Sequence, residues 1–290
     1  MELQWPLILF TTFICWSAGL FAVQSIVALK GESAKAQMPS LIASVVLMAV
    51  GGISVFFHLQ HWERIFNGFG HITSGITQEL IAIVVLFVLM VIFFVMIRRD
   101  SAKIPAWLCI ASIAVAVILV CVMGHSYMMY ARPAWNSVFQ ILSLIGAACA
   151  LGVGTFAAID ALTAGEDEAG ANNGLLALVG TAINAVTTCI YVGVMAASTS
   201  SYADYGWTFN AVHPNSALPS ADVYSPFASD AMFATIAAIV FAILPILFAA
   251  MGKQKGNWKI WGSAIAVCAV ISAICLRVVF YIVGGSTFML

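Results

Sequence analysis

Eight apolar runs, each close to the length that crosses a bilayer, constrain this chain more than anything else in it. They cover residues 6–29, 39–57, 80–97, 105–124, 137–161, 174–197, 229–251 and 258–283. About 20 residues of α-helix span the hydrocarbon core of a membrane. Lipid offers no partner to a backbone N–H or C=O, so a spanning segment must satisfy its own hydrogen bonds. Composition points the same way. Charged residues make up only 8% of the chain, against about 25% in soluble domains, too few to cover a water-facing surface. The net charge of −1 leaves no basic footprint for nucleic acid. The expected fold class is all-α: one integral membrane domain, residues 1–290, built as an eight-transmembrane-helix bundle. The first run lacks the basic opening of a signal peptide, beginning Met1-Glu2, and is too long for one.

Orientation follows from the basic residues. The connections after runs 1, 3, 5 and 7 hold Lys30, Lys35, Arg98, Arg99, Lys103, Lys253, Lys255 and Lys259. The opposite side holds Arg64 and Arg132, and Arg277 lies within the last run. Lys and Arg are enriched in cytoplasmic loops. Both termini are therefore expected outside the cytoplasm, and the longest connection, 198–227, lies there with them. Its Tyr202, Tyr205, Trp207, Tyr224 and Phe227 favour an ordered surface, either an interfacial belt or a docking site.

Ionisable groups inside a membrane are costly, so each is a functional candidate. His58 ends the second run, Glu79 opens the third, His125 ends the fourth, and Arg277 and Tyr281 lie four apart near the outer end of the eighth. All fall at the outer level. The bland reading is that such residues snorkel to the headgroups, and that Glu79 complements a helix dipole from the first turn. Arg277 resists it. It follows Trp258 by 19 residues, about 28 Å of helix, and is expected to pair with Glu79. Asp160 and the inner lysines sit at helix ends, where charge reaches water. The seven cysteines all lie in apolar runs without a C-x-x-C pair, so no metal or iron–sulfur site is expected on this chain.

A His and a partly buried carboxylate at one membrane face suit a quinol. Its oxidation releases two protons as two electrons leave, and both side chains are able to take protons. Two other classes remain open. A haem-bearing anchor would need two facing histidines, for which His58 and His125 are the candidates. A secondary transporter or proton pathway would place polar or broken segments at midplane. Asn184, Thr187 and Thr188 in the sixth run, and Pro245 in the seventh, are explained by interhelical hydrogen bonds and a proline kink.

Longer motifs narrow the choice. His58-Leu59 is followed by Arg64, Phe66 and Asn67, then by Glu79; Arg132-Pro133-Ala134-Trp135-Asn136 precedes the fifth run; Arg277-Val278-Val279-Phe280-Tyr281 closes the eighth. In these segments, and in length and span count, the chain resembles the membrane anchor subunit of the dimethyl sulfoxide reductase family of molybdoenzyme complexes. Trp62 stands where that family has Pro, and the interval from Asn67 to Glu79 is one residue short. The resemblance implies a bacterial inner-membrane protein of anaerobic respiration. It implies oxidation of menaquinol, with no haem or cluster on this chain, and two partners: an iron–sulfur subunit and a molybdopterin catalytic subunit. It implies that His58 and Glu79 act at the quinol site. Arg277 and Tyr281 are then expected to support that site, and Arg64 and Asn67 to shape the loop over it.

Overall fold

The computed structural model describes residues 3–58, 70–164, 172–202 and 221–286. Eight long helices carry the described chain: α1 Trp5–Leu29, α2 Ala34–Phe56, α3 Gly75–Arg99, α4 Ala106–Ser126, α5 Val138–Ala164, α6 Asn172–Ser198, α7 Ser229–Lys255 and α8 Trp258–Val283. All eight are long and apolar enough to cross a membrane. The described residues contain no strand, and the fold is the all-α polytopic bundle expected from the sequence.

Two starting edges differ from the sequence expectation. α2 begins at Ala34, five residues before Pro39, which lies inside the helix and removes one of its backbone hydrogen bonds. α3 begins at Gly75 rather than Leu80, after Ser74 in extended conformation. Glu79 therefore lies beyond the first turn, which holds no acidic residue, and the dipole explanation for it fails.

α1, α5 and α8 form the middle of the bundle. α1 packs on α2, α4 and α5; α5 packs on α6 and α8; α7 covers α8 and α6; α3 packs mainly on α4. Lipid tails are as apolar as leucine, so close backbone approach replaces the hydrophobic drive of water. The α5–α8 contact uses glycines on both sides: a Cβ on Gly262 would stand 2.7 Å from the Ala158 nitrogen, and one on Gly154 2.7 Å from the Ala266 nitrogen. Hydroxyls add cross-helix bonds, with Ser17 donating to the Ser44 carbonyl at 2.7 Å and Ser272 to the Ala238 carbonyl at 2.8 Å. The outer flank of α3 and α4 remains apolar and unpacked, as at Val84 and Val117, the face a lipid requires.

The first and last described stretches lie at one end of the bundle, called the terminal end below: Leu3 and Val283 join the same apolar cluster as Trp135 and Phe280.

Candidate functional site

The motifs around Arg132 and Arg277 meet at the terminal end. Trp135 stacks on Phe280 with centroids 4.3 Å apart and planes 7° from parallel, and Tyr127 and Tyr281 meet Trp135 edge-on. A helix leaves its last four carbonyls unbonded. α8 has its last turn closed from outside the helix: the Trp135 indole N–H donates to the Phe280 carbonyl at 2.7 Å. The Tyr202 hydroxyl donates to the Gly285 carbonyl at 2.9 Å, and Arg132 donates to the Gly284 carbonyl. Arg132 also lies 4.3 Å over the Trp135 ring. Tyr202 stacks on Tyr224 at 4.2 Å, which fastens both described edges of the 198–227 connection to the end of α8. Phe227 is exposed, and Tyr205 and Trp207 fall outside the described residues.

This clamp holds the last turns of α8 in register, and Arg277 lies one turn before Phe280. Arg277 is only 5% exposed, beside Glu79 at 6% and Tyr281 at 3%. Its guanidinium carbon lies 5.2 Å from the Phe280 ring. Among the described residues it makes neither an ion pair nor a side-chain hydrogen bond. The expected Arg277–Glu79 pair is not formed, since α3 packs mainly on α4. Instead the Glu79 carboxylate accepts a hydrogen bond from the Ser126 hydroxyl at the end of α4. Arg277 and Glu79 still share one neighbourhood, because both act electrostatically on Cys15, Tyr127 and Tyr281. Beneath Arg277 a cavity of about 10 Å³ is lined by Thr11, Thr12, Cys15 and Ser143 among others, room for roughly one water. The Tyr281 hydroxyl is buried and has no hydrogen-bond partner of normal geometry among the described residues. Tyr127, just past the end of α4, has its phenol held well above the ordinary range by burial, with Tyr281 and Glu79 adding to the effect.

The structure thus brings Glu79, Arg277 and Tyr281 together and adds Ser126, Tyr127 and Cys15, which carried no signal as isolated letters. His58 lies exposed just past the end of α2, its backbone N–H bonded to the Val55 carbonyl. His125 is also exposed, in the last turn of α4. Arg64 and Asn67 lie outside the described residues.

The opposite end differs from expectation. Asp160 does not reach water; it is fully buried and accepts a bond from the Asn173 amide at 2.6 Å. Its other carboxylate oxygen has no partner among the described residues. α5 continues to Ala164, which carries Asp160 into the α5–α6 contact. In α6, Thr187 bonds back to the Ile183 carbonyl of its own helix at 2.8 Å rather than to another helix.

No curated protein matches the chain. One family model does, described as DMSO reductase anchor subunit (DmsC), over residues 1–283. With nearly the whole chain matched and eight helices fit to span a membrane, the protein belongs to the DMSO reductase anchor subunit family.

Proposed function

We propose that this subunit oxidises menaquinol at the terminal end of the bundle and passes the electrons to an iron–sulfur subunit, which feeds a molybdopterin catalytic subunit. The observation that carries the reading is Glu79, a carboxylate 6% exposed whose hydrogen bond comes from Ser126, in one neighbourhood with a buried Arg277 that has no ion pair among the described residues. A buried acid and a buried cation at one membrane level form a polar socket in apolar walls, which suits a ring bearing two hydroxyls.

In the reaction, a quinol loses two protons and two electrons and leaves as a quinone. Glu79 takes one proton, with Ser126 orienting the carboxylate. His58, exposed at the end of α2, takes the other and hands it to water. Arg277 and Tyr281 hold the oxygens. In this reading the chain carries no haem or cluster of its own, and the electrons leave to a partner docked at the same end. The distribution of Lys and Arg puts that end outside the cytoplasm of a bacterial inner membrane.

The test uses the assembled complex. Glu79→Gln and His58→Ala should each lower menaquinol-dependent turnover by roughly a hundredfold or more, the scale of a lost general base. Reduction of the terminal acceptor from a soluble artificial donor should persist. Unchanged menaquinol turnover in Glu79→Gln would overturn the assignment.

A further inference from the structure

The cavity beneath Arg277 lies where α1, α5 and α8 meet, and Thr11 and Thr12 of α1, Ser143 of α5 and Arg277 of α8 all line it. The three hydroxyl residues are buried, and each has committed its hydrogen to its own helix. Thr11 donates to the Leu7 carbonyl at 2.9 Å, Thr12 to the Ile8 carbonyl at 2.7 Å and Ser143 to the Gln140 carbonyl at 2.7 Å. A hydroxyl whose hydrogen is spent keeps only lone pairs to offer. A guanidinium is the opposite, with N–H donors and no acceptor, and Arg277 has no ion pair among the described residues. The cavity thus sets acceptors on α1 and α5 against donors on α8, across about 10 Å³.

We infer that this cavity is a site for one structural water, which accepts from the Arg277 guanidinium, donates to the Thr12 and Ser143 oxygens, and so fixes Arg277 from below. The water stands on the cavity alone; its effect on turnover rests on the quinol reading above. Cavities that stay dry are apolar, whereas a polar one with room for a water and several partners holds it. The chemistry of the lining excludes the other small occupants. An anion would satisfy Arg277 but face hydroxyl oxygens that have no hydrogen left to give. A metal cation would suit those oxygens but meet the guanidinium charge. Water alone carries donors and acceptors together and answers both sides. It also relieves a cost that the packing leaves, because a charge inside a membrane needs partners. The Glu79 carboxylate is bonded to Ser126, and Phe280 offers Arg277 only a ring, 5.2 Å away. With the water and the ring both holding the guanidinium, its remaining N–H groups are left for a quinol oxygen. Thr12 is then a positioning residue, acting on the substrate through the water and Arg277.

The test uses the assembled complex and a pair of substitutions at one position. Thr12→Val keeps the shape of the side chain and loses the hydroxyl; Thr12→Ser keeps the hydroxyl and loses a methyl. Reduction from a soluble artificial donor reports assembly in both. The menaquinol KM should rise about tenfold in Thr12→Val, the scale of a buried hydrogen bond left unmade, and should hold in Thr12→Ser. An unchanged KM in Thr12→Val would overturn the inference, and so would an equal rise in both variants, which would mark a packing role. The occupant is read directly from crystals of the unmodified complex grown in bromide. A single water peak within hydrogen-bond distance of Arg277, Thr12 and Ser143, without anomalous signal, is expected. A bromide peak there would make it an anion site, and a cavity without density would make it dry; either result overturns the inference. If the unmodified complex does not oxidise menaquinol, the proposed function fails, and the density still decides whether the water is there.

Discussion

Replacing Trp135 with Phe isolates the bond that closes α8. The substitution keeps an aromatic ring to stack on Phe280, whose plane lies 7° from that of Trp135. It removes the indole N–H that reaches the Phe280 carbonyl at 2.7 Å. Phe280 is among the last four residues of α8, so no intrahelical donor replaces the loss. A buried carbonyl left without a partner costs about 1–3 kcal/mol. Arg132 over the ring at 4.3 Å also loses its best aromatic partner, worth about 0.5–1 kcal/mol. The expected destabilisation is therefore about 2–4 kcal/mol. Reversible unfolding of the purified protein in mixed detergent–lipid micelles measures it directly. Menaquinol turnover should fall in parallel, because Arg277 sits one turn below the freed carbonyl. Stability within about 0.5 kcal/mol of the unmodified protein, the scatter of neutral surface changes, would refute the argument that this bond fixes the end of α8.

Gly262→Leu should force α5 and α8 apart, since even a Cβ there meets the Ala158 nitrogen at 2.7 Å; the expected cost is about 1–3 kcal/mol or more, read as reduced stability in the same unfolding assay. Asp160→Ala strands the buried Asn173 amide and should cost about 1–3 kcal/mol, whereas Asp160→Asn, which keeps a hydrogen-bonding group in place, should cost less; equal losses would show that the bond is not what matters. A reporter active only in the cytoplasm, fused after Leu290, should stay silent, and a strong signal would reverse the orientation.

The number and nature of the spans are legible because length and hydropathy alone decide whether a segment stays in lipid. Helix starts are less so, for apolarity ends before the helix does: Gly75 to Gln78 are helical without being apolar enough to extend the run. That shift of one turn moves Glu79 from a helix end into a buried position. Depth along one helix was enough to single out Arg277 as buried. It was not enough to choose the partner of Arg277, which depends on which helices touch. Ser126 and Tyr127 were invisible for the same reason, since a Ser and a Tyr at a helix end are unremarkable until α3 packs against α4. The Arg132–Asn136 motif did contain a signal: a Trp two residues from the start of a span calls for a hydrogen-bond acceptor, which proved to be α8. Asp160 was misread because its distance from the apparent end of the run suggested water, and its amide partner lies across a connection.

That pair bears on how the protein is made. Asp160 closes one helix and Asn173 opens the next, so the two are synthesised within seconds of each other. A carboxylate at the centre of a spanning helix costs about 2.5–3.5 kcal/mol to insert; Asp160 lies nearer its helix end, and Asn173 supplies a donor only once α6 lies beside α5. The two helices are therefore best released into the bilayer as a hairpin, the acid already bonded.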